Sequence, residues 1–374
     1  MPDSFDSASH SYVPILVTRR GERIAMRETD PVIKTRLTPL WVVAPVPWDF
    51  ENEEPAKTVE AHIENLPSDL LRDWGTGSAF VDTAYLPDDL IGGVHPLEFL
   101  VRQAALLGLP LVPVTGPERS VDHIAAAATL ANSSSLGPGG VCLRIPRNMA
   151  LSLQAPPALA RWSIDDLLTA LNLAPDAIDV LIDFGEDVSD ALATATLVRA
   201  ILANFPYLAD WRSITFAGTS IPSSLQGVPT QAVSSFDRPE WEAYEDLLQG
   251  SNPARMPRFG DYAVQHPELI TDVDPKVMRI FSQLRYATDN GWLVGRGQEL
   301  RRVGNAHVSA LAGLLVAQPE YAGAAFSPGD RWISDCAAGT VNPGSPEIWR
   351  RASTSHHLAH AVIQVARALR LPTP

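Results

Sequence analysis

Eight short apolar runs, rich in Val, Ile and Leu, constrain this chain more than any other feature. They are "YVPILVTRRG" (12–21), "TPLWVVAPV" (38–46), "GSAFVDTAYL" (77–86), "LPLVPVTG" (109–116), "GVCLRIPRN" (140–148), "AIDVLIDFGE" (177–186), "RSITFAGTS" (212–220) and "PRFGDYAVQ" (257–265). Short continuous apolar runs are how strands buried on both faces read. Between most of them lies a stretch with an apolar period near 3.6, such as "HPLEFLVRQAALLG" and "VSDALATATLVRAILANF". Ser120 and Ser163 stand where N-caps are wanted, and Gly108 and Gly250 where helices stop. Strand and helix alternating eight times predict an α/β fold, a TIM-barrel-like (β/α)8 unit over 12–280. A doubly wound open sheet is the main alternative. It would carry a glycine-rich phosphate loop after an early strand, and "RRGERIAM" is not one. Asp30-Pro31 interrupts the first crossover, which reads as two short helices.

The alternation stops near residue 280. "SQLRYATDNGWLVGRG" (282–297) reads as a β-hairpin turned at Asp289-Asn290-Gly291. A buried helix, a Gly/Pro-rich stretch and a terminal helix follow. The expected organisation is a flexible N-terminus (1–11), the barrel (12–280) and a C-terminal hairpin-and-helix subdomain (281–374) laid over the barrel as a lid.

Bulk composition excludes several classes. Hydrophobic residues make up 45% of 374, enough for a sizeable core. The net charge of −14 argues against broad binding to nucleic acid or anionic membranes. Two cysteines, Cys142 and Cys336, form no CxxC, which fits a reducing cytoplasm and leaves no Cys-based zinc site. The first residues lack the basic and apolar regions of a signal peptide, and no run reaches the ~18–20 apolar residues of a membrane helix. P-loop, dinucleotide-fold, zincin and hydrolase-elbow motifs are all missing.

Five fragments together resemble one family: "YVPILVTRRGERIAM", "RFGDYAVQHPE", "LRYATDNGWLVGRG", "GDRWISDCAAG" and "TSHHLAHAV". In order and spacing they look like the phage and prophage "beta protein" family, named after a bacteriophage T4 member. The resemblance spans nearly the whole chain. It implies a setting of phage–host conflict and mobile elements, and it implies no established reaction. The family's "RYT" stands here as Tyr286-Ala287-Thr288 after Arg285, which leaves Arg285 and Tyr286 in place.

In a barrel the C-terminal strand ends face one mouth, where barrel enzymes work. Asp82 in "AFVDTAY" and Asp183 in "VLIDFGE" follow directly on apolar strands, where a charge costs several kcal/mol unless paired or functional. They are candidates for acid/base work or for an Mg2+ ion, the one cofactor the sequence suggests. The alternative is a structural ion pair with a rim arginine such as Arg144. Asp261-Tyr262 in "RFGDYA" is a second acid/base candidate. Arg19, Arg20, Arg144 and Arg285 are candidates to grip a phosphate or carboxylate, with Tyr286 and Trp292 to stack a ligand.

The terminal "STSHHLAHAV" supplies two more candidate catalytic residues, His356 and His357. With Ser353, Thr354 or Ser355 as N-cap they fall in the first turn, where the helix dipole disfavours an imidazolium. Too few partners stand nearby for a metal site.

Two functions follow. One is a binding or sensor component of a phage–host conflict system, engaging a protein partner encoded nearby or by phage. The other is a soluble enzyme acting on a phosphorylated or anionic small molecule or nucleotide. Rim carboxylates that are all satisfied by structural pairs would sink the enzyme.

Overall fold

The computed structural model describes residues 12–133, 136, 139–152, 163–250, 253–269, 274 and 277–373. The expected flexible stretch 1–11 lies outside the described residues. In chain order the strands are β1 (Tyr12–Val17), β2 (Leu40–Val42), β3 (Trp48–Asp49), β4 (Glu54–Pro55), β5 (Ala79–Asp82), β6 (Leu111–Thr115), β7 (Val141–Pro146), β8 (Ile178–Asp183), β9 (Ser213–Ala217), β10 (Ala232–Asp237), β11 (Arg258–Asp261), β12 (Phe281–Ala287) and β13 (Gly291–Glu299). The chain forms two compact units.

The first unit comprises Met1–Thr18, Arg36–Thr219 and Pro239–Asp261. Its strands close into a parallel barrel in the order β1-β11-β9-β8-β7-β6-β5-β2. The seam closes because β1 pairs on both edges. Val13 stands opposite Gly260 of β11, and Ile15 opposite Leu40 of β2. All six residues of β1 and of β8 are buried, as a strand with core on both faces requires. Helices follow the strands around the barrel, with the expected caps. Ser120 Oγ accepts from the His123 N–H, and Ser163 forms a capping box with Asp166. The (β/α)8 architecture is therefore the one the alternation predicts. The acidic stretch 49–57 carries the short β3–β4 hairpin and is exposed or half-buried.

The second unit comprises Arg19–Thr35, Ser220–Arg238 and Tyr262–Pro374. It includes the first crossover, which is indeed two helices, Arg20–Glu28 and Pro31–Lys34. The Asp30 side chain caps the second by accepting from the Val32 N–H. The predicted hairpin is present as β12–β13. A third strand, β10, joins it in the antiparallel order β10-β13-β12. Leu284, Tyr286, Leu293, Leu311, Ile333 and Trp349 form the core of this unit.

The terminal helix differs from expectation. It runs from Pro346 to Ala368 and so begins about two turns before Ser353. Pro346 suits its first position. The hydroxyls expected to cap it do other work: Ser353 Oγ accepts from the Arg285 N–H and Ser355 Oγ from the Gly329 N–H. His356 and His357 consequently sit mid-helix, away from any end dipole. Gly329, the second residue of the helix Pro328–Ala337, lies so close to the terminal helix that a Cβ there would be 2.1 Å from the Ala352 carbonyl oxygen. Both cysteines are buried free thiols. Among the described residues no helix is long and apolar enough to cross a membrane.

Candidate functional site

Asp82 and Asp183 close β5 and β8 at the C-terminal end of the barrel, and Arg144 rises between them from β7. Arg144 Nη1 donates to Asp82 Oδ2 at 2.9 Å, and its Nε donates to Asp183 Oδ2 at 2.8 Å. Arg119, from the loop after β6, adds a second guanidinium to Asp82 at 3.1 Å. The remaining carboxylate oxygens accept backbone N–H groups, Asp82 Oδ1 from Ala84 and Asp183 Oδ1 from Gly185. Burial pushes the Asp82 carboxyl up, but Arg119 and Arg144 outweigh it and hold it below the usual carboxylate range. Both acids thus carry arginine partners at hydrogen-bond distance. An Mg2+ ion would have to displace a guanidinium to reach the engaged oxygens. Asp261, fully buried on β11, accepts from the Tyr12 hydroxyl at 2.6 Å.

The second unit holds a cavity of about 450 Å3, within the range of ligand pockets. Three arginines line it. Arg19 precedes the helix Arg20–Glu28, Arg285 lies on β12, and Arg350 lies on the terminal helix. Gln265, Gln283 and Ser353 add polar groups, and Met278, Ile280 and Phe281 add an apolar wall. Arg285 decides what this lining is for. Its Nη1 donates to the Val264 carbonyl, and its buried Nε has no hydrogen-bond partner. Burial, and after it the neighbouring positive charge of Arg350, lower its guanidinium to about 10. Glu268 also lines the cavity, but among the described residues no acidic group is a cause of the Arg285 shift. A desolvated cation beside a second cation is an arrangement that an anion stabilises.

The other candidates of this unit are elsewhere. Arg20 is 68% exposed and pairs with Glu347. Tyr286 is buried. Its hydroxyl donates to Asp330 Oδ1 at 2.7 Å and accepts from the Ala322 N–H. His356 is also fully buried. Nδ1 lies 3.0 Å from Asp330 Oδ2 and Nε2 2.9 Å from the Ala287 carbonyl, so both ring nitrogens face oxygen acceptors and neither is open to a metal. His357 stacks on Trp292, with ring centroids 5.0 Å apart, and both are buried. Tyr262 is buried too. These side chains build the interior of the unit; the cavity lining does not include them.

Asp88, His95 and His123 form a third cluster, in the first unit, with one ligand atom from each within 4.8 Å of the others. Its hydrogen bonds argue against a cation. His95 Nδ1 accepts the Leu97 N–H, so the proton sits on Nε2, which faces Asp88 at 2.8 Å. His123 Nε2 faces the Val114 carbonyl at 3.0 Å. One imidazole lone pair remains, too few for a three-ligand site.

The sequence named Arg19 and Arg285 and missed Arg350, Gln265 and Gln283. Arg350 in "EIWRRAS" looks like a solvated face of a helix, and nothing local marks it as turned toward a cavity.

The model of one protein family, described as Beta protein, matches residues 12–363. The chain belongs to the Beta protein family. The match runs through every barrel strand and through all three cavity arginines. No curated protein matches the chain. A Beta protein of this build therefore combines a closed parallel barrel with a second unit that holds an arginine-lined cavity.

Proposed function

We propose that this protein is a ligand-responsive binding component of a phage–host conflict system. In this reading the barrel is a scaffold. The second unit captures a small oxyanion, such as a phosphate-bearing nucleotide, and reports it to a protein partner from phage or a neighbouring gene. The observation that carries the reading is Arg285, a buried guanidinium that lines a cavity beside Arg350 and has no acidic partner among the described residues. Arginine forks suit phosphate and carboxylate, and the apolar wall suits the body of such a ligand. The enzyme alternative asks Asp82 and Asp183 for acid/base or Mg2+ chemistry. Their engagement with Arg119 and Arg144 speaks against it. The test is phage plating on cells expressing the protein. The wild type is expected to change plating efficiency, Arg285→Gln to lose that effect, and the surface control Arg102→Ala to keep it. An Arg285→Gln variant as effective as the wild type would refute the role given to the cavity.

A further inference from the structure

A buried carboxylate lies beside one of the cavity arginines. Glu22, on the helix Arg20–Glu28, is fully buried, and neither of its oxygens has a hydrogen-bond partner in any other described residue. Its paired cation is Arg350, whose Nε lies 3.7 Å from Oε1, beyond hydrogen-bond reach. Two further arginine–carboxylate pairs join the same two helices. Arg20 meets Glu347 and Arg351 meets Glu28 in direct hydrogen bonds. Glu22–Arg350 is the open one of the three. Arg350 is also the member of these pairs that lines the cavity, so the cation nearest Glu22 borders the space a ligand would fill.

We propose that Glu22 is the resident counter-anion of the cavity, and that an oxyanion entering the cavity takes over Arg350 while Glu22 binds one proton from solvent. The inference rests on the reading of the cavity as an anion site. No covalent bond changes; one anion and one proton enter together. The charges that act on Glu22 are Arg350 from the terminal helix and Arg19 and Arg23 on its own side. Glu347 and Arg351 are engaged with Arg20 and Glu28.

Burial already pushes the Glu22 carboxyl up to about 7, against the pull of Arg350, its own backbone N–H, Arg19 and Arg23. An anion beside Arg350 weakens that pull and adds repulsion, so the proton is held more tightly in the complex than in the free protein. Anion affinity is then highest below about pH 7 and declines as pH rises, by at most about tenfold per pH unit for one proton. His266 and Glu268 also line the cavity, so His266, as a second proton-binding group there, needs its own control.

The experiment is calorimetric titration of inorganic sulfate into the full chain between about pH 6 and 9, in buffers of different ionisation enthalpy. Sulfate is a suitable probe because it carries no proton of its own over this range. Wild type and His266→Gln are expected to take up a fraction of a proton on binding, most strongly above about pH 7. Glu22→Gln is expected to bind sulfate with affinity nearly independent of pH and with no uptake. Sulfate binding by wild type without proton uptake, or uptake that persists in Glu22→Gln, overturns the role of Glu22 and leaves the anion site standing. No sulfate binding at all overturns both.

Discussion

Arg144 holds Asp82 and Asp183 at once, with Nη1 2.9 Å from one carboxylate and Nη2 2.7 Å from the other. This bridge spans the barrel end where barrel enzymes place their chemistry, and it turns two isolated buried acids into a compensated network. Arg144→Met is expected to cost about 3–5 kcal/mol, read as a lower urea midpoint, because it strands buried charge. Adding Asp183→Asn to it should recover part of the loss, a coupling that a double-mutant cycle measures. The Asp82 carboxyl lies below its unfolded value, so its contribution is present above about pH 4 and lost as pH falls further.

Glu22 behaves in the opposite sense. Its carboxyl is raised from 4.5 to about 7, so the folded state favours the protonated form. Stability from this group is full below the unfolded value and is lost as pH rises through about 7. Glu22→Gln should therefore stabilise the protein at pH 8 to 9 by up to roughly 3 kcal/mol, at about 1.4 kcal/mol per pH unit, and change little near pH 4. Denaturant midpoints at the two pH values check this.

Two glycines separate close approach from mere helix propensity. Gly329→Ala forces a Cβ against the Ala352 carbonyl and should cost about 1–3 kcal/mol as helices Pro328–Ala337 and Pro346–Ala368 are pushed apart. Gly313, inside the helix Val308–Val316, meets nothing within 4 Å. Gly313→Ala should stabilise by roughly 0.5–1 kcal/mol. Equal melting temperatures for the two variants would contradict the packing described for the terminal helix.

His356 anchors Asp330, which also receives the hydroxyls of Tyr286 and Ser327. His356→Ala should cost about 3 kcal/mol by leaving that buried carboxylate short of a partner. A chelator should leave the His356 contribution unchanged, since both ring nitrogens are already engaged. The check is the wild type minus His356→Ala difference in melting temperature, measured with and without the chelator.

The barrel was legible because each strand is a short apolar run whose period breaks into a helical one, a local signal repeated eight times. The hairpin was legible from Asn290-Gly291. The start of the terminal helix was misplaced because Ser353 and Ser355 read locally as caps, while their real partners, Arg285 and Gly329, are supplied by other elements. Strand β10 was missed because "AVSSFD" has too little apolar alternation to stand out; its pairing with β13 makes it a strand. Arg19 and Arg285 could be named as anion binders, but only the fold puts them on one cavity with Arg350. Asp82 and Arg144 were foreseen as a possible pair, yet Arg119 as a second partner of Asp82 was not.

The most direct test is calorimetric titration of inorganic phosphate and adenosine monophosphate into wild type and Arg285→Gln at fixed pH and ionic strength. The wild type is expected to bind at least one of them. Arg285→Gln should bind it about 10- to 100-fold more weakly, the loss of a charge-assisted hydrogen bond worth roughly 1.5–3 kcal/mol. Equal affinities, or no binding of either oxyanion by the wild type, would contradict an anion site at Arg285.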